Sequence, residues 1–135
     1  MLTRRLTPIV LLGLWALPAA AGPSSPAGRW RAETIDGGGV LDRVQTTLEI
    51  RDDGIVSGTG GCNRYAGSAH VDGERIRFAP MGSTRMACAP AVMNQETKFH
   101  RALARAAAWR IDEARRKLTL LDDRGFDLIR LTQMD

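Results

Sequence analysis

From Gly28 onward, turns rich in glycine and aspartate cut the chain into short stretches of alternating apolar and polar residues, and this pattern constrains the fold most. Val44, Thr46, Leu48 and Ile50 alternate with Gln45, Thr47 and Glu49. That period of two puts every second side chain on one face of a half-buried strand. Asp52-Asp53-Gly54 then supplies a turn, because glycine accepts positive φ while aspartate side chains bond the local backbone. Ile55–Thr59 returns as a hairpin partner. Tyr65–Val71 leads into Asp72-Gly73, a strong hairpin signal, and Arg75, Arg77 and Ala79 then alternate with Ile76 and Phe78. Trp30–Ile35 precedes this series. Trp109–Ile111, Leu118–Leu120 and Phe126–Leu131 close it, with Asp122-Asp123-Arg124-Gly125 as the last turn and Ile129 leaving the final period ambiguous.

One segment breaks the strand rhythm. Pro90 to Ala108 holds no glycine, and Val92, Glu96, Phe99, Leu103 and Ala107 fall near helical spacing. Pro90 suits a first helical turn, where its missing N–H is no loss. Met93, Ala102 and Ala106 widen the apolar stripe, and Gln95, Lys98, Arg101 and Arg105 are expected on the opposite, wet face. The expected fold class is therefore mainly β (α+β): about eight short strands in a small antiparallel, partly open barrel-like sheet, with one helix packed against it. The helix is placed between the sixth and seventh strands. No βαβ spacing and no internal repeat is present.

The start of the chain reads differently. Arg4 and Arg5 precede a nearly uninterrupted apolar run, Ile9–Leu17, and Ala19-Ala20-Ala21 matches a small-x-small cleavage site after the helix-ending Pro18. The run is short for a membrane-spanning helix, which needs about 20 residues. Residues 1–21 are expected to be a removed export signal, the alternatives being a buried first helix or an uncleaved anchor. Residues 22–28 are expected to be a flexible lead-in, and residues 29–135 one domain. The expected compartment is periplasmic or secreted. No cysteine lies near the cut, so the mature N-terminus offers no residue for a lipid anchor, and no membrane span is expected in the mature form. Arg4 and Arg5 carry two of the formal +4 charges.

The chain has two cysteines, Cys62 and Cys88. In an oxidising compartment such a pair favours a disulfide, which by loop entropy would contribute on the order of 3–4 kcal/mol. Two buried free thiols are the alternative, since the sequence does not show the approach of the two Cβ atoms.

Two patches have unusual character, Gly58–Tyr65 and Gly82–Pro90. Within them Gly60, Gly61, Cys62, Asn63, Tyr65 and Gly67, then Thr84, Arg85, Met86, Ala87 and Cys88, followed by Glu96, resemble the signature of the META domain of HslJ-like heat-shock proteins. Trp30 and Leu118-Thr119-Leu120 fit the same pattern, so the resemblance runs from about Gly28 to Leu131. It implies a small antiparallel barrel with a helix against it, an exported or membrane-attached bacterial protein tied to stress and antibiotic tolerance, and no established activity. From the residues themselves, the paired glycines would aim Cys62 and Asn63, and Asn63 would take a left-handed conformation or bond nearby backbone. Arg85 would donate to carbonyls or to Glu96. Architecture accounts for all of them; a binding face on the same loops is the functional alternative.

Chemistry is poorly served. Cys62, Cys88, His70 and His100 lack the close pairs of a structural zinc site, and His100 is expected to be solvent-exposed. Neither a metal nor a cofactor is expected. A thiol nucleophile at Cys62 or Cys88 would need a free thiol and an orienting group. Ser83 and Thr84 have no evident base. Asp52-Asp53, Asp112-Glu113 and Asp122-Asp123 read as solvated turns, so no catalytic residue is assigned. Arg75 with Arg77, Arg101 with Arg105, and stacking by Tyr65 and Phe78 would be the elements of a nucleic-acid face, against which stand the near-balanced charge and the export signal. The expected function is an exported, non-enzymatic envelope accessory module. Its partner would be an unknown protein or a small apolar ligand. The alternatives are a purely structural domain and a thiol enzyme.

Overall fold

The computed structural model describes residues 4–10, 12–13 and 25–135. Pro18, the cleavage site at Ala19–Ala21 and the start of the lead-in at Gly22 lie outside the described residues. The described residues form ten strands and one helix: β1 Gly28–Ile35, β2 Gly38–Gly39, β3 Thr47–Ile50, β4 Ile55–Thr59, β5 Arg64–Asp72, β6 Arg75–Phe78, β7 Gly82–Ser83, α1 Pro90–Arg105, β8 Ala108–Asp112, β9 Lys117–Leu121 and β10 Asp127–Gln133. β2 and β7 are two-residue strands, too short to show alternation. With them the helix follows the seventh strand, where the sequence reading placed it after the sixth; without them five strands precede it.

Every pairing is antiparallel, and the expected mainly β class holds. The order β10-β9-β8-β6-β5-β4-β3-β1 closes through β10 against β1, while β2 hangs on β1 and β7 on β5. Closure rests on a long register, from Trp30 opposite Gln133 to Ile35 opposite Ile129. The ring is thinnest between β6 and β8, where Arg75 opposite Ala108 is the one pair in register. Leu48, Val56, Phe99, Leu118, Leu120, Ile129 and Leu131 are fully buried, so the interior is filled by side chains.

Local departures from the sequence reading have physical causes. β3 starts at Thr47 rather than Val44, because Val44 N–H closes the preceding turn on Leu41 O at 3.3 Å, while the Thr46 hydroxyl reaches Gly60 O at 2.8 Å. The register of β10 shifts between Asp127 and Ile129, and this bulge lets the consecutive Leu128 and Ile129 both face inward. Phe126 lies outside the strand and is exposed. α1 stops at Arg105 because Ala106 adopts an extended backbone, and Ala108 already belongs to β8. The helix touches β1 and β10 on one side and β6 on the other, so it lies across the ring. Its inward face is Gln95, Glu96, Phe99, Ala102 and Leu103; Gln95, expected on the wet face, is buried.

Candidate functional site

The two signature patches meet at one end of α1. Cys62 and Cys88 are disulfide-bonded with Cα atoms 6.0 Å apart, which fastens the β4–β5 turn to the segment preceding the helix. Both cysteines of the chain are thereby used, and neither is a free thiol.

Glu96, only 7% exposed, projects from the second turn of α1 into this junction. Its Oε1 accepts the backbone N–H of Asn63 at 2.6 Å and that of Cys62 at 3.2 Å, and its Oε2 accepts Asn63 Nδ2–H at 2.8 Å. Burial pushes the carboxyl up. The bonds from the Asn63 side chain, the Asn63 and Cys62 N–H groups, and the nearby His100 outweigh that and hold it below its ordinary value. The buried charge is thus compensated by donors rather than by a cation. Arg85, expected to donate to carbonyls or to Glu96, is exposed and forms no ion pair among the described residues.

Asn63 passes the restraint on. Its Oδ1 accepts Met86 N–H at 2.6 Å and the Thr84 hydroxyl at 3.0 Å, and its other Nδ2–H donates to Met86 O at 3.3 Å. The amide has no bonding capacity left. Asn63 has no positive φ, so the local-bonding role holds and the left-handed one does not; the positive φ of 136° falls at Gly61. Gly60 is required for a different reason. A Cβ there would stand 2.6 Å from Glu96 Cγ. At Gly67, a Cβ would collide with Met81 Sδ.

A second bracket supports the turn and was not legible in sequence. Gln95 Oε1 accepts Leu41 N–H at 2.7 Å, and its Nε2 donates to Thr46 Oγ1 at 2.9 Å, whose hydroxyl holds Gly60 O. The signal was the position of Gln95 four residues before Phe99, in the apolar phase. Tyr65 is buried, and its hydroxyl donates to Thr47 O at 2.6 Å; burial pushes its pKa far up.

His100 is half-buried rather than exposed, one turn beyond Glu96. Its ring lies edge-on to Tyr65, with centroids 5.1 Å apart, and near Phe99 at 5.4 Å. Its Nε2 is buried without a hydrogen-bond partner. Burial lowers its pKa, and the Glu96 charge only partly offsets this.

The remaining candidates do not converge. His70 lies on the outer face of β5, away from the cysteines. Among the described residues no three His, Cys, Asp or Glu side chains are grouped to hold a metal ion. The acidic pairs act as turn ties: Asp53 Oδ1 accepts Ile55 N–H, Asp112 Oδ1 accepts Arg115 N–H, and Asp122 Oδ1 accepts the N–H groups of Arg124 and Phe126. Tyr65 and Phe78, the stacking candidates, are buried. Ser83 Oγ donates to Thr84 O at 2.9 Å, and Ala87 is exposed. The segment Gly82–Pro90 is exposed throughout, with Met86 57% exposed.

Comparison with known proteins decides the family. The META domain model matches residues 24–135. The chain belongs to the META domain family. An NMR structure of a protein from Burkholderia xenovorans is similar at 25% identity and TM-score 0.63, covering 88% of this chain and 94% of that one. A DUF4847 family protein from Bacteroides vulgatus shares the fold at 14% identity and TM-score 0.54, covering 81% of this chain and 95% of that one. No curated protein matches. Among the described residues of this META domain chain, no helix is long and apolar enough to cross a membrane.

Proposed function

We propose that this META domain is an exported, non-enzymatic accessory module of the bacterial envelope that recognises a protein through the loop Gly82–Pro90. The observation that carries the reading is the direction of the buried Glu96 carboxylate. A buried charge is costly unless fully bonded. Here both of its oxygens serve the Cys62–Asn63 turn, and through Asn63 the loop, rather than facing a cavity where a substrate could meet them. What the relay holds in place is an exposed surface with Arg85 and Met86 at its tip. Preorganising such a loop removes ordering cost from association.

Export is supported by two further features. The disulfide suits an oxidising compartment. Leu6, Ile9, Val10 and Leu12 are 74–92% exposed and take no part in the core. The test has two arms. Mass analysis of the chain recovered from the periplasm should find an N-terminus at Gly22 and a form lighter by two hydrogens than its reduced state; a retained leader with both thiols sinks the export reading. A photo-crosslinker at position 86 should yield a discrete protein adduct in envelope extracts that one at exposed Asp52 does not. Equal labelling at both sites would remove the loop from the function.

A small apolar ligand is the second reading. A crevice of about 430 Å³ between Phe78–Ser83 and the helix is walled by His100, Leu103 and Ala104. Saturable shifts at these residues with an aliphatic probe, with none at the loop, would favour it.

A further inference from the structure

The thin seam between β6 and β8 has its own chemistry. Ile76 N–H still reaches Ala107 O at 3.1 Å, and Trp109 N–H reaches Glu74 O at 3.0 Å, but past Ile76 the two chains part. The divergence opens a crevice of about 440 Å³. One wall is the outer face of the β5–β6 hairpin, carrying His70, Asp72, Arg75 and Arg77. The other is Ala106–Ala107, whose side chains stop at Cβ and leave the space open.

We propose that this crevice binds a phosphoryl group, held by Arg75 and Arg77. The two arginines alternate with buried Ile76 and Phe78, so both side chains leave the same face of β6. Positions two apart on a strand are separated by about 7 Å. Two flexible guanidinium forks can converge across that distance on one tetrahedral group, which presents three oxygens; a carboxylate presents a single edge. Neither guanidinium forms an ion pair among the described residues.

The neighbours set the strength. Asp72 stands opposite Arg75 in the register, and His70 stands opposite Arg77. Arg77 therefore carries the charge that no acid faces, while Asp72 weakens the Arg75 side. The end of α1 lies alongside through Ala106, and its partial negative charge also opposes an anion. That half-charge is smaller than two whole guanidinium charges. The balance makes Arg77 the principal holder and Asp72 a brake on affinity.

The test is an NMR titration of the isotope-labelled protein with inorganic phosphate and, separately, with glycerol phosphate, each against sodium chloride at equal ionic strength. Saturable shifts at residues 70–77 and 106–108 are expected. Arg77→Gln should weaken binding about tenfold, the loss of charge-assisted bonds, and Asp72→Asn should tighten it. Both positions are exposed, so unchanged shifts elsewhere will certify the fold of each variant. Tighter binding of the ester assigns the site to the phosphorylated end of a larger molecule, and equal binding assigns it to the free anion. Shifts that fail to saturate, that chloride reproduces, or that survive Arg77→Gln overturn the proposal.

Discussion

Asn63 and Met86 are joined twice, Met86 N–H to Asn63 Oδ1 at 2.6 Å and Asn63 Nδ2–H to Met86 O at 3.3 Å. One side-chain amide thus pairs with one backbone unit as a neighbouring strand would. This explains how residues 84–89 hold position with no regular structure of their own. The amide's remaining Nδ2 hydrogen goes to Glu96, so the helix, the turn and the loop share a single polar junction.

Asn63→Asp tests that junction by changing one atom type. The new carboxylate oxygen would sit where Nδ2 now donates to Glu96 Oε2 at 2.8 Å. Two carboxylates at that distance do not both ionise, so the pair would keep a proton that the unfolded chain releases. The variant should lose about 3 kcal/mol at pH 7.5 and recover part of it at pH 5. Melting temperatures at the two pH values decide the matter. A variant as stable as the parent at pH 7.5 would show that the junction contributes little.

The unmodified protein should respond to acid in the opposite sense. Folding lowers the pKa of both His100 and Glu96 below their ordinary values of 6.5 and 4.5. Where the folded pKa is lowered, the unfolded chain binds more protons, and stability falls as pH falls. The loss should begin below 6.5 through His100 and steepen below 4.5 through Glu96. His100→Phe should flatten the upper limb and, because His100 is the least of the contributions that hold Glu96 down, leave most of the lower one. Denaturant midpoints across pH 4–8 measure both limbs, and a His100→Phe curve that overlays the parent's would show that His100 is not responsible.

The same residues mark how far the sequence could be read. Hairpins were legible because their alternation and turn chemistry are local, as at Asp72-Gly73. Closure of β1 on β10 was not, since pairing Trp30 with Gln133 leaves no local trace. The bulge at Leu128–Ile129 also broke the alternation of the last strand. Within the site, Cys62, Asn63, Thr84, Met86 and Glu96 of the signature share one hydrogen-bonded junction, while Gly67 lies against Met81 instead, and the bonding partners differed from expectation. Arg85 was read as a donor to carbonyls or to Glu96, yet amide and backbone N–H groups fill that role at Glu96. Gln95 and His100 were misplaced because a polar residue in the apolar phase of a helix carries no mark of what it will bond.

Gly60→Ala should be far more disruptive than its size implies. Gly60 has no positive φ, so alanine incurs no backbone strain there; the obstacle is Glu96, whose Cγ and Oε1 lie 2.6 and 2.8 Å from the added Cβ. Relief requires the carboxylate to withdraw from Asn63 and leave buried donors unmet, at about 1–3 kcal/mol. Gly73→Ala has open space but a positive φ of 58°, which isolates the backbone effect. Equal thermal stabilities for the two variants would show that Glu96 is free to move aside.

Removing the disulfide separates the covalent from the hydrogen-bonded restraint. The bridge closes a segment with a sequence separation of 26 residues, and its loss should lower stability by about 3 kcal/mol. The core does not depend on it, since Leu118 and Leu120 of β9 and Leu131 of β10 are buried elsewhere in the ring, so a Cys62→Ser/Cys88→Ser variant should fold. In that variant the Asn63 bonds must order the loop unaided, and part of their free energy offsets the ordering entropy. Thr84→Val, which removes the hydroxyl bonded to Asn63 Oδ1, should therefore shift stability by a different amount in the two backgrounds, with a coupling of about 0.5–1 kcal/mol. Denaturant melts of the four proteins in the cycle supply the number. A coupling near zero would mean that the bridge and the Asn63 amide restrain the loop independently, each contributing the same whether or not the other is present.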